Sequence, residues 1–239
     1  MKLSIERGAL LKAVSQAQSV VERRNTIPIL ANVLIEAEGE HVQFRATDLD
    51  IEVVDKTFAQ VERAGATTVS AVTLHEIVRK LPDGALVTLT DDAVKGRLTV
   101  DAGRSNFSLA TLPKEDFPVM ASSEYDSNFS APAPVLRRLF DKSKFAISTE
   151  ETRHYLNGVY MHLADADGGP VLRCVATDGH RLALATGPAL VEAVDTGVII
   201  PRKGVLELSR LLDGSAPLEL AIGTNHIRAA NEQFTFTSK

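Results

Sequence analysis

The densest cluster of reactive side chains in this 239-residue sequence is Thr177-Asp178-Gly179-His180-Arg181, which puts a carboxylate, an imidazole and a guanidinium within one short turn. A carboxylate and an imidazole so placed could exchange a proton with a substrate, which would be general acid–base chemistry. That reading lacks a third group to orient the base, and the competing one is a tight turn closing two strands. The single cysteine, Cys174, lies in the strand-like run Val171-Leu172-Arg173-Cys174-Val175-Ala176, where a thiol packs rather than attacks. The other histidines, His41, His75, His154, His162 and His226, are scattered without metal-ligand spacing and read as surface or boundary residues. No Walker loop, dinucleotide-binding glycine pattern, nucleophile elbow or zinc spacing occurs along the chain, so no catalytic residue, metal or cofactor is expected.

The elements that would position this turn occur twice. Ala46-Thr47-Asp48 returns as Ala176-Thr177-Asp178, and Leu81 with Asp83-Gly84 returns as Leu211 with Asp213-Gly214, both at an offset of 130. In the first copy Leu10, Val14, Ala17 and Val21 fall at helical spacing, with Lys12, Gln16, Ser19 and Arg23 on another face. The second copy opens with Pro134 near a helix start, then turns Leu136, Leu139 and Phe140 inward among Arg137, Arg138, Lys142 and Lys144. Thr73 and Glu76 have capping-box spacing for a short helix over 74–81, ended by Pro82-Asp83-Gly84, and its counterpart covers about 202–212. Val42-Gln43-Phe44-Arg45-Ala46 and Leu86-Val87-Thr88-Leu89-Thr90 alternate as half-buried antiparallel strands do. Asp165-Ala166-Asp167-Gly168-Gly169-Pro170 reads as a hairpin turn, and Lys114 to Asn128 as a linker. The expectation is an α+β fold of two tandem domains, 1–125 and 126–239, each with helices on antiparallel sheet.

Composition narrows the partners. No apolar run is long enough to span a bilayer, and one cysteine fits a reducing compartment, so a cytoplasmic protein without membrane contact is expected. The net charge of −5 conceals an uneven distribution: helical segments 7–24, 73–81, 134–145 and 202–212 together carry +9, leaving −14 on everything else. Lys and Arg commonly solvate helix faces, but four basic helices in register across a repeat point to a polyanion. Tryptophan is absent and no Phe or Tyr interleaves with the basic residues, so sequence-independent phosphate contact with duplex DNA fits better than stacking on single strands.

Residues 176–184 (ATDGHRLAL), 155–159 (YLNGV), 200–208 (IPRKGVLEL), 234–239 (FTFTSK), 26–33 (TIPILANV) and 112–118 (LPKEDFP) closely resemble the bacterial DNA polymerase III β subunit, the sliding clamp, and the resemblance runs the whole chain. It implies head-to-tail dimers of three-domain chains that ring duplex DNA, with helices lining the hole and sheets outside. Arg24, Arg79, Lys80, Arg202 and Lys203 would face DNA. Leu156, Thr177, Gly179, His180, Arg181 and Leu182 would form a pocket for apolar peptide tails of the DNA polymerase III α subunit, the clamp loader and other clamp-binding proteins. Arg104, Phe107 and Leu109 would lie at the subunit interface. The resemblance also implies that a third clamp domain is absent after Lys239, so this chain alone is expected to be monomeric. A hydrolase or transferase using Asp178 and His180, and a peptide-binding scaffold without DNA contact, stand as the alternatives.

Overall fold

The computed structural model describes residues 1–21, 26–120, 125–150, 152–166, 169–188, 197–212, 216–223 and 226–239. They fall into two compact units, Met1–Ala121 with Glu232–Thr235, and Ser122–Asn231 with Phe236–Lys239. Asp213 and Gly214 of the repeat, Asp167 and Gly168 of the hairpin turn, and Arg23 lie outside the described residues.

The first unit runs β1 (Lys2–Glu6), α1 (Arg7–Val20), β2 (Asn32–Glu38), β3 (His41–Thr47), β4 (Ile51–Phe58), β5 (Gln60–Arg63), β6 (Gly65–Ser70), α2 (Ala71–Lys80), β7 (Leu86–Asp92), β8 (Arg97–Ala102) and β9 (Ser105–Leu112). Its strands follow one another in the order β4-β3-β2-β6-β9-β8-β7-β1-β5. The helical stripe read from sequence is the buried one: Leu10, Val14, Ala17 and Val21 are all buried. Burial of each of the leucine and valine side chains contributes roughly 1.5–3 kcal/mol. Glu6 caps α1 by accepting the Ala9 N–H at 3.0 Å, and backbone hydrogen bonds from Gly8 and then Ala9 hold its carboxyl below the usual range. Arg7 ties the start of α1 to the end of α2, donating from Nε to the Val78 carbonyl at 3.1 Å and from Nη2 to the Arg79 carbonyl at 2.8 Å, while Nη1 meets Asp83 at 2.6 Å.

The second unit follows the same order, with one strand fewer between its helices among the described residues: β10 (Ser127–Pro132), α3 (Ala133–Ser143), β11 (Gly158–Ala166), β12 (Gly169–Thr177), β13 (Leu182–Pro188), β14 (Val198–Pro201), α4 (Arg202–Leu211), β15 (Pro217–Ile222), β16 (Ile227–Ala230) and β17 (Phe234–Ser238). Here β10-β15-β16-β17 and β13-β12-β11-β14 are the two strand series. Leu136, Leu139 and Phe140 point into a core shared with Val159, Leu172, Cys174, Val205 and Leu208. Burial pushes the Cys174 thiol up to about 12, which leaves it a packing group at physiological pH.

Three local expectations are corrected. The second copy opens on a strand, β10, and so does the first, because short segments of six or fewer residues with serine and proline give little periodicity. α2 begins at Ala71, and Ser70 rather than Thr73 caps it, accepting the Thr73 N–H at 3.3 Å, while Glu76 turns to Arg79 at 2.7 Å. The stretch from Lys114 is only partly a linker: Lys114–Asp116 forms a 3-10 turn and Phe117 is buried with Ile29, Leu30 and Leu34. Met120 donates its N–H to Glu52 Oε2 at 3.2 Å, and Glu52 is paired through Oε1 with Arg45 at 2.8 Å.

Candidate functional site

The two Thr-Asp turns share one hydrogen-bond frame. Thr47 Oγ1 donates to the Ile51 carbonyl at 2.8 Å and accepts the Leu49 N–H at 3.0 Å, while Asp48 Oδ1 accepts the N–H groups of Asp50 and Ile51 at 3.0 and 2.7 Å. At the offset positions Thr177 Oγ1 donates to the Arg181 carbonyl at 2.7 Å and accepts the Gly179 N–H at 3.1 Å, while Asp178 Oδ1 accepts from His180 and Arg181 at 3.0 and 2.9 Å. Short Thr and Asp side chains satisfy their own backbone, which is why these two types open a turn. Both frames need a left-handed third residue, Leu49 at φ 82° and Gly179 at φ 89°.

The second turn is the open one. Asp178 Oδ2 also accepts from Arg181 Nε at 2.9 Å. Backbone hydrogen bonds from Arg181 and His180, with the Arg181 guanidinium adding to them against a smaller cost of burial, bring the Asp178 carboxyl down to about 2. A carboxylate so stabilised is a poor proton acceptor near neutral pH, so Asp178 is not itself a general base. Phe145, against Arg181, is 58% exposed, and Leu182 and Leu184 at the start of β13 are 64% and 51% exposed; Tyr155, two residues after Arg153, is exposed as well. Leu156 ends the 3-10 turn His154–Leu156, and Arg153 just before it comes within 3.4 Å of where a Cβ on Gly179 would lie. Thr177, Gly179, His180, Arg181 and Leu182 thus share one turn and the start of β13, and Leu156 stands on the 3-10 turn that follows Arg153. Among the described residues no three His, Cys, Asp or Glu side chains group as a metal site would require, and no helix is long and apolar enough to cross a membrane.

The other expected residues lie elsewhere. Arg79 and Lys80 are exposed at the end of α2, with Arg79 paired to Glu76 at 2.7 Å. Arg202 is exposed and Lys203 half-buried at the start of α4. Arg24 lies outside the described residues. Arg104 is exposed in the turn between β8 and β9. Phe107 and Leu109 stand opposite Val100 and Leu98, both fully buried, so they continue the core face outward along β9. β9 pairs with β8 over 105–110 but reaches β6 only at Thr111 and Leu112, which leaves one edge of 105–110 without a strand partner among the pairings of this unit.

A family model described as DNA polymerase III beta subunit, N-terminal domain, matches residues 1–121, and one described as its central domain matches 131–239. The chain belongs to the DNA polymerase III β subunit family. The Beta sliding clamp of Caulobacter vibrioides (strain NA1000 / CB15N) is 52% identical over 241 residues, covering 100% of this chain and 65% of that protein. The solved Caulobacter crescentus pol III beta structure superposes with a TM-score of 0.94 at 52% identity, over 100% of this chain and 65% of that one. A DnaN sliding clamp from Bartonella birtlesii bound to griselimycin gives 0.94 at 44% identity, over 100% of this chain and 64% of that one. The chain thus spans about 65% of the length of the curated relatives it matches. The α+β clamp-domain fold expected from sequence is the fold of this family.

Sequence reasoning missed Phe145, Arg153, Tyr155 and Leu184. The ring of Phe145 lies 5.7 Å from the Arg181 guanidinium carbon. The two are 36 positions apart, so no local pattern joins them. A usable signal existed in Phe145 itself, an aromatic that falls off the Leu136, Leu139, Phe140 stripe.

Proposed function

We propose that this chain is the DNA-encircling part of a replication processivity clamp, a non-catalytic cytoplasmic protein that holds double-stranded DNA and docks peptide tails of the DNA polymerase III α subunit, the clamp loader and other clamp-binding proteins. Arg24, Arg79, Lys80, Arg202 and Lys203 contact phosphates without reading bases, which permits sliding. Phe107 and Leu109 on β9, with Arg104 in the turn before it, form one side of a subunit interface in the homodimer of full-length chains. Leu156, Thr177, Gly179, His180, Arg181 and Leu182 receive the peptide. The observation that carries the reading is the second unit's turn: its carboxylate is consumed within the turn, while a guanidinium and several apolar side chains around it stay open. That suits docking, not turnover.

Calorimetric titration with griselimycin, the molecule borne by the Bartonella birtlesii clamp structure, tests the pocket. Saturable binding that falls at least about tenfold in Arg181→Ala, a loss of roughly 1.4 kcal/mol, is expected. Unchanged affinity in that variant and in Leu182→Ala overturns the pocket. For the DNA arm, the full-length protein loaded on circular duplex should be released when the circle is cut, and equal retention on both forms overturns encirclement.

A further inference from the structure

Phe145 is an aromatic that the core does not use. It sits in the 3-10 turn Lys144–Ala146 after α3, between a half-buried Lys144 and a fully buried Ala146, yet is itself 58% exposed. What occupies its face is Arg181, with the guanidinium carbon 5.7 Å from the ring centroid. The other hold on that guanidinium is Asp178, through Nε at 2.9 Å. The guanidinium is thus held at its Nε edge by a carboxylate and over its carbon by a ring. On the far side of the turn Arg153, itself paired with Glu150 at 2.9 Å, lies against Gly179 at the tip.

An exposed arginine ordinarily samples many rotamers, and a ligand that uses it must order it. Contacts made before the ligand arrives reduce that cost. We propose that Phe145 is a positioning residue that fixes the Arg181 guanidinium for a docking peptide, so that the peptide meets donors already in place. This rests on the reading of the second unit's turn as a peptide-docking site. Phe145 acts here through Arg181, not as a wall of the pocket.

The test is a double-mutant cycle read by calorimetric titration with griselimycin, using Phe145→Ala, Phe145→Leu, Phe145→Tyr, Arg181→Ala and the Phe145→Ala/Arg181→Ala pair. A cation–π contact at an exposed site corresponds to about a threefold to fivefold change in affinity. Phe145→Ala and Phe145→Leu should each weaken binding by that factor, and Phe145→Tyr, which keeps the ring, should bind as the parent does. With Arg181 already removed, Phe145→Ala should change nothing further. A loss of the same size in the Arg181→Ala background would make Phe145 a direct contact and overturn the positioning role, as would full affinity in Phe145→Leu. If Arg181→Ala alone leaves affinity unchanged, it is the docking reading that fails, and the role of Phe145 falls with it. Phe145→Leu and Phe145→Tyr keep side-chain bulk at an exposed position, so thermal midpoints near the parent's are expected for both.

Discussion

The turns at 47–51 and 177–181 share a backbone frame and end in opposite surroundings. In both, threonine and aspartate satisfy the same four backbone groups, and the third residue is left-handed. The fifth position then diverges: Ile51 is 1% exposed and belongs to the core of its unit, whereas the Arg181 side chain is 58% exposed and lies over a ring. The first two residues and a left-handed third therefore specify the turn, and the fifth is free to be specialised. One copy has turned its fifth residue into the core and the other has left it on the surface.

The sharpest way to break this comparison is to truncate the fifth residue in both copies. Ile51→Ala should cost about 2–5 kcal/mol of unfolding free energy in urea, as loss of a fully buried side chain does. Arg181→Ala should stay within about 0.5 kcal/mol. Similar costs for the two would show that the second turn is as much a part of its core as the first.

The offset of 130 also pairs Asp55 of β4 with Ala185 of β13, both buried. Burial lifts the Asp55 carboxyl from 3.8 to about 6, opposed by the charge of Lys12. A folded-state value above the unfolded one means that the native state holds the proton more tightly. Stability of the first unit should therefore be greatest below about 4 as far as this group is concerned, fall as pH rises to about 6, and level off beyond. Asp55→Asn should flatten that slope and gain on the order of 2–3 kcal/mol at pH 7, measured by urea unfolding at several pH values. No gain at pH 7 would mean that Asp55 is compensated as well as the alanine opposite it in the repeat.

A smaller effect concerns the third residue. Leu49 at φ 82° carries strain that Gly179 does not. Leu49→Gly should be neutral or stabilising by less than about 1 kcal/mol, and Gly179→Ala destabilising by about 1 kcal/mol. The smallest expected effect is that of pH on the open turn. Because the Asp178 carboxyl is held down near 2, its contribution is present above the ordinary carboxylate value and is lost only as pH falls through about 2. Griselimycin binding should therefore show no inflection from Asp178 between pH 5 and 8, and one in that range would place its titration elsewhere.

Much of this arrangement was legible in the sequence where a side chain's role depends on near neighbours. The Thr-Asp turns, the stripe of Leu10, Val14 and Ala17, and the burial of Cys174 all follow from spacing within a few residues. β1 and β10 were not legible, since a strand of five or six residues is defined by partners such as β7 and β15 more than 80 positions away. The same limit hid Phe145, whose neighbour Arg181 is reached only through the fold. It also hid which cations are free. Arg7, Arg137 and Arg138 count toward basic helices in composition, yet all three donate to backbone carbonyls.

The Arg7 clasp has a consequence for the end of α2. Helices usually fray from their termini, because the last carbonyls lack partners and each lost turn costs little. Here the carbonyls of Val78 and Arg79 are held by a guanidinium 71 and 72 positions earlier, itself anchored to Asp83. Opening the last turn of α2 means parting two segments distant in the chain, so its amide protons should exchange with solvent at the slow rate of the unit's cooperative opening. The exposed Arg79 and Lys80 are then expected to ride on a helix end that opens only with the rest of its unit.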